Sequence, residues 1–326
     1  MLNKMLTYDL KVGYACNNKC KHCVIDDSKD KLIEQQKNIN LSTLECLKQI
    51  DIASKKGVTN IVLTGGEVTI RKDFSELIKK CTEYNLNITI QTNGRMLHHE
   101  SIINTIKDVK NIKFIVALHG ANKETHDSIT QVNGSFEETC AGIKKMCDIG
   151  KFIILKVVIS HINFKELPEI IHLGTKLGIK YFCFAFPHGQ GAARKNFDKI
   201  MLTYSSLKPI LKKLIFIAKE NNSNIEFEAI PFCIIPNNMN LVGELKYYTG
   251  DTICTQVHED TFQWNKIRKS IKKKGSNCIN CDMNEFCEGP WSEYIDNFGD
   301  TELQPIIFPQ KYKEIIISKI KKSLCK

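Results

Sequence analysis

The chain has 326 residues, of which 42% are hydrophobic and 25% charged. That is the make-up of a folded globular chain with room for one large domain or two ordinary ones. No uncharged apolar run reaches the about 18 residues of a membrane span, and the N-terminal stretch has no signal-peptide core, so the expected location is the cytoplasm. The net charge of +10 comes from 46 Lys and Arg against 36 Asp and Glu. Much of the excess lies in runs such as Lys272-Lys273-Lys274 and the tail 319–326, which read as solvated surface rather than as a face for nucleic acid or an acidic peptide.

In chain order, β-branched apolar runs alternate with amphipathic segments of helical length. Strands are expected at residues 9–14, 60–64, 87–92, 113–118, 153–160 and 180–186. Helices are expected at 42–56, 74–84, 100–107, 136–149, 164–177 and 204–220. Ser42 and Glu45 have the spacing of a capping box, and Gly57, Gly150 and Gly178 sit where helices end. Six such units imply a parallel sheet, as an open partial (β/α)6 barrel or a doubly wound sheet, with functional groups at the C-terminal strand ends. Past residue 221 the helical period fades and prolines and further cysteines appear. The expected division is therefore 1–221 as the β/α domain, 222–308 as a second unit and 309–326 as a basic tail.

Fourteen cysteines in a chain without secretory features point to metal or redox chemistry. Cys46, Cys81, Cys140 and Cys147 fall within helices and read as small hydrophobes. Cys16, Cys20 and Cys23 form C-x3-C-x2-C directly after the first strand. Three thiolates are one ligand short of a closed site, which leaves an open coordination position or a recruit such as His22 in a Cys3His zinc site. Cys278, Cys281 and Cys287 form C-x2-C-x5-C, a metal chelate for zinc or an iron–sulfur cluster, with Cys233 or Cys254 as the available fourth ligand.

The first motif, placed after strand one of a parallel β/α domain, resembles the radical S-adenosylmethionine (SAM) superfamily. The resemblance continues through Gly65-Gly66-Glu67, Thr92-Asn93-Gly94 and Leu118-His119-Gly120, and through the polar end of strand five at Ser160 and Asn163. It implies a partial (β/α)6 radical SAM barrel. It further implies a [4Fe-4S] cluster on Cys16, Cys20 and Cys23 whose open iron binds SAM, which is cleaved to a 5′-deoxyadenosyl radical. By the same resemblance SAM is bound by His22, Gly65, Gly66, Glu67, Thr92, Asn93, His119, Ser160 and Asn163. Four departures stand out: His22 replaces an aromatic residue, Val68 a proline, Ala117 a serine and Trp291 the last cysteine of the fuller C-terminal pattern. The second cysteine group resembles the SPASM and twitch extensions, which implies one auxiliary [4Fe-4S] cluster. A cysteine left unligated, Cys233 or Cys254, could instead give a hydrogen atom to a substrate radical. The loop Pro187–Asn196 is similar to one in peptide-modifying members. The implied partners are a peptide, or else a small molecule such as a tetrapyrrole, and an electron donor such as flavodoxin or ferredoxin. A zinc-binding module is the non-enzymatic alternative.

Overall fold

The computed structural model describes residues 5–248, 250–311, 313–315 and 317–318. The end of the predicted tail, 319–326, lies outside them. In chain order the elements are β1 (Met5–Lys11), α1 (Asp26–Glu34), α2 (Thr43–Lys55), β2 (Asn60–Thr64), α3 (Phe74–Glu83), β3 (Asn87–Thr92), α4 (Glu100–Ile106) and β4 (Ile112–Ala117). Next come α5 (Lys123–Thr130), α6 (Ser135–Asp148), β5 (Phe152–Val158), α7 (Leu167–Leu177), β6 (Tyr181–Ala185), α8 (Ala192–Lys195), α9 (Phe197–Ile200) and α10 (Tyr204–Glu220). The remainder holds β7 (Asn224–Glu228), β8 (Gly250–Gln256), β9 (Glu259–Gln263), α11 (Trp264–Ser270) and α12 (Ser292–Phe298).

Among the described residues, nine strands form one open sheet in the order β7-β6-β5-β4-β3-β2-β1-β8-β9, parallel except for β9. This is the expected partial barrel, with three strands more than the six predicted. The three extra strands lie past the predicted boundary at 221–222 yet join the same sheet: β7 pairs with β6, and β8 pairs with β1 at the other side. The first strand starts earlier than its apolar pattern suggested because Met5–Asp9 pair with Gly250–Cys254. The sheet has two unlike faces. Leu10, Leu63, Ile90, Val116, Leu155 and Phe182 are buried. At β4 to β6 that face meets the helices directly: a side chain at Gly174 of α7 would strike Leu155 and Phe182. On the opposite face Lys11, Thr64, Gln91, Ala117, Lys156 and Glu228 are only half-buried. Such a wall, apolar outside and polar within, is the interior of a barrel left open for a ligand.

Local signals explain the helices that were foreseen. Ser42 accepts from the amide of Glu45 while the Glu45 carboxylate takes the Ser42 amide at 2.7 Å, closing the capping box. Gly178 ends α7 with φ +102°. Cys46 and Cys81 are wholly buried in the core, whereas Cys140 and Cys147 are half-buried against it.

Candidate active site

The loop after β1 carries Cys16, Cys20 and Cys23, and neighbouring segments hold it in place. At the end of α5 the carbonyls of Thr130 and Ile129 take the amides of Lys19 and Lys21, both at 2.9 Å, and the Gln131 side chain donates to the Lys19 carbonyl. Arg95 donates to the Asn17 carbonyl and to Asn18 Oδ1 while its other edge pairs with Glu138. The predicted Pro187–Asn196 loop is a clamp on the far side. Ala192 N donates to the Cys23 carbonyl at 2.9 Å, and Arg194 and Lys195 pair with Asp27, Asp26 and Asp30. Gly191 has φ +60°, and a side chain there would strike the Cys23 carbonyl, so the close approach requires glycine.

Burial pushes the Cys16 thiol up to about 11 and raises Cys20 and Cys23 as well, so the sulfurs are protonated until a metal displaces the protons. The Asn18 amide at 3.4 Å and Asn93 Nδ2 at 3.9 Å donate to Cys16 Sγ, which suits a thiolate. A single zinc ion would draw three sulfurs to within about 4 Å of one another. Among the described residues, the only three ligand atoms within 4.8 Å of one another belong to Cys183, Glu226 and Glu228. Three cysteine sulfurs on one short loop, one ligand short of a closed site, fit an iron–sulfur cluster with one iron left open. His22 keeps its Nδ1 buried without a partner and sets its ring edge-on to His119, 4.4 Å between centroids.

The end of β2 packs onto this loop. Gly66 N donates to the Gly13 carbonyl and Glu67 N to the Ala15 carbonyl, both at 2.8 Å. A side-chain carbon on Gly65 or Gly66 would lie 2.1 Å from those same carbonyl oxygens. The space beside the glycines is therefore filled by the chain's own backbone. Glu67 is buried. Its Oε1 accepts from Thr69 N, Thr69 Oγ1 and Thr92 Oγ1, and its Oε2 accepts from Asn93 N at 2.6 Å. Oε1 is saturated, while Oε2 retains a lone pair for a further donor such as an ammonium. Asn93 Nδ2 also reaches Asn17 Oδ1 at 2.6 Å, tying β3 to the cysteine loop.

His119 Nδ1 accepts from Val158 N, so its proton sits on Nε2; burial holds the ring well below the usual histidine range. Behind it His126 Nδ1 accepts from His119 N, and His126 is lowered to about 4, again by burial. Ser160 and Asn163 are fully buried. Asn163 Oδ1 accepts from Ser160 N, and its amide donates to the carbonyls of His119 and Val158. They join the ends of β4 and β5, offering no exposed surface to a ligand. Asn17, Asn18 and Arg95 were not singled out in the sequence; the basic residue directly after Thr92-Asn93-Gly94 was the available signal.

The second cysteine group also assembles. Cys233, Cys278, Cys281 and Cys287 line one pocket together with Phe232, Met283 and Pro305. Burial, with the neighbouring thiols adding to it, pushes Cys233 up to about 12. Ile306 N donates to Cys281 Sγ at 3.3 Å and Gly289 N to Cys287 Sγ at 3.4 Å. Cys254 is elsewhere, on β8 opposite Asp9, and lines none of this pocket. Trp291 stacks on His188 at 4.1 Å and lies under the Lys272 ammonium, between the pocket segment and the barrel.

The β/α sheet, the three-cysteine loop and the glycine–glutamate turn packed on it define a class of enzyme that binds an iron–sulfur cluster and SAM at one end of an open barrel. The family model for the radical SAM superfamily matches residues 10–174, half of the chain, and the chain belongs to that superfamily. It is therefore an enzyme with a [4Fe-4S] cluster and SAM as its cofactors. The chain is similar to the antilisterial bacteriocin subtilosin biosynthesis protein AlbA of Bacillus subtilis, 29% identical over 56% of this chain and 40% of AlbA. A probable GTP 3',8-cyclase of Saccharolobus solfataricus is 25% identical over 88% of this chain and 89% of its own. The fold is shared with Streptococcus suis SuiB bound to S-adenosylmethionine, with a TM-score of 0.67, 17% identity and coverage of 92% of this chain and 76% of SuiB. The chain thus spans less than half of AlbA's length but most of the cyclase's. Among the described residues no helix is long and apolar enough to cross a membrane.

Proposed function

We propose that this enzyme modifies a peptide by radical chemistry and carries an auxiliary [4Fe-4S] cluster on Cys233, Cys278, Cys281 and Cys287. The observation that carries the second cluster is the pocket in which Cys233 joins the C-x2-C-x5-C group. Four thiolates would complete its coordination. That favours Cys233 as a ligand over a role as hydrogen donor, and it favours electron transfer over direct substrate binding at this cluster. A peptide substrate is supported by the sequence likeness to a bacteriocin biosynthesis protein and by the fold of SuiB, which has been crystallised bound to its precursor peptide SuiA.

The catalytic cluster and SAM, when bound, supply a radical able to take a hydrogen atom from the substrate. The protein's own part is placement. Cys16, Cys20 and Cys23 hold the cluster at the strand ends, with amide donors on Cys16 favouring its thiolate. Glu67 Oε2 offers a charge-assisted acceptor for the SAM ammonium, and Asn93 fixes that carboxylate against the loop. His22 and His119, both neutral because buried, give a low-dielectric wall with one N–H donor on His119 for the nucleoside side. Reduction would come from a one-electron donor of the flavodoxin or ferredoxin kind.

Anaerobic reconstitution is the test. About eight iron and eight sulfide per chain supports two clusters, and about four rejects the auxiliary one. Incubation with short peptides encoded beside the gene should then yield peptide mass changes that depend on SAM and reductant. One observation favours a small-molecule substrate instead: the probable GTP cyclase matches nearly the full span of this chain. GTP consumption with no peptide change would establish that reading.

A further inference from the structure

The half-buried face of the sheet carries a charged group that the cluster and SAM residues do not use. Lys156 on β5, Cys183 on β6 and Glu226 on β7 are register partners, and Ala117 at the end of β4 pairs with Lys156 on its other side. Glu228 lies two residues further along the same face. Lys156 Nζ donates to Glu228 Oε2 at 2.6 Å, and Lys246, from the segment Gly243–Tyr248, bridges Glu226 and Glu228, both at 3.0 Å.

The ligand atoms of Cys183, Glu226 and Glu228 are close enough for a metal ion. Both carboxylates already have ammonium groups at hydrogen-bond distance, so the positive charge a cation would bring is present. A different use follows from the donors. Lys156 has three N–H bonds and directs one to Glu228. Its side chain keeps 28% of its surface and Glu228 24%; Lys156 stands on an inner strand and Glu228, on the edge strand β7, shares its face, so the pair opens onto the barrel interior. Glu228 holds Lys156 well into the charged range, and Lys156 holds Glu228 well below the usual carboxylate range. Their neighbours on this face, Ala117, Val158 and Ala185, are small. The Val158 amide is the one that holds His119, which places Lys156 beside the nucleoside side of the SAM site. A half-buried ion pair adds little stability for its desolvation cost, whereas a fixed ammonium with spare donors is a ready oxygen-binding group.

We propose that Lys156, oriented by Glu228, binds an sp2 oxygen of the substrate, a carbonyl or carboxylate, on the inner wall of the barrel. The proposal rests on a substrate entering the barrel, but its test needs neither the true substrate nor radical chemistry. The probes are N-acetylglycine, which carries a carboxylate, and N-acetylglycinamide, which carries only amide carbonyls. Binding to the reconstituted protein with SAM present is followed by ligand-observed NMR. Wild type should bind at least one probe, and Lys156→Met should weaken it about tenfold or more, the loss expected for one charged hydrogen bond. Preference for N-acetylglycine assigns a carboxylate; equal binding assigns a carbonyl. Lys156→Arg should retain most of the affinity, and each variant's melting temperature separates lost binding from lost folding. Equal binding by wild type and a folded Lys156→Met, or no binding by wild type, overturns the proposal. Failure of the auxiliary-cluster or peptide reading would leave these outcomes unchanged.

Discussion

The two cysteine sites are built on opposite plans. The first sits on a loop whose main chain is fastened by α5, β3 and the loop after β6, with Arg95, Gln131 and Ala192 all bonded to its backbone. The second brings Cys233 together with a segment more than forty residues further on, through short 3-10 turns such as Ser276–Asn280 rather than through strands. In the first the fold makes the site. In the second, the proposed cluster would supply much of the cross-linking, as metals do in small metal-stapled domains.

The sharpest break in that comparison is the change of Cys16, Cys20 and Cys23 together to Ala. Formation of 5′-deoxyadenosine with SAM and dithionite should be abolished while the melting temperature moves little, because the loop's backbone contacts remain. A large fall in melting temperature would remove the contrast. Next in size, Cys233→Ala should cut bound iron from about eight to about four per chain and lower the melting temperature. Cys254→Ala should do neither. If the two variants behave alike in iron content, the pocket is not a cluster site.

Glu67→Gln keeps an acceptor for Thr69 and Thr92 but sets an amide donor against the Asn93 N–H. SAM affinity should fall about 10- to 100-fold, and stability by about 1–3 kcal/mol, readable by titration and denaturation. The smallest expected effect is one of pH. His126 is lowered to about 4 in the folded state by burial, against an ordinary value of 6.5. The unfolded chain therefore takes up a proton first as pH falls through 6.5. Its contribution is intact above 6.5 and is lost progressively down to about 4. Between pH 6.5 and 5.5 the wild type should lose about 1 kcal/mol more than His126→Phe, in which the buried His22 and His119 still contribute their own loss, measured by urea unfolding.

Six strands and their helices were legible because each had a β-branched apolar core and a clear turn after it. Residues 60–64, 87–92 and 204–220 match the observed β2, β3 and α10. The elements not foreseen have no such signal. Helix α1 is nearly all polar, with Leu32 as its buried residue, and β7 carries two glutamates on its inner face. Strand β8 is defined by a partner some 240 residues away, which no local pattern reveals. The cysteine loops were legible from spacing alone. The choice between Cys233 and Cys254 was not, because both are single cysteines upstream and only the chain's path brings one of them to the pocket. The roles of the glycines at 65 and 66 changed in detail. Their freedom serves close packing of β2 on the cysteine loop, and Glu67 is the group there that we propose for the SAM ammonium.

The pairing of β1 with β8 also bears on how the protein is made. The strand that leads into Cys16 is synthesised first, and its outer neighbour is not complete until residue 256. Until then one side of β1 is an open edge on the nascent chain, a surface that invites wrong partners. Closure over so long a separation is slow compared with the local β/α units. Maturation of the first cysteine site should therefore wait until β8 has been made, and expression at lower temperature should raise the iron-loaded fraction.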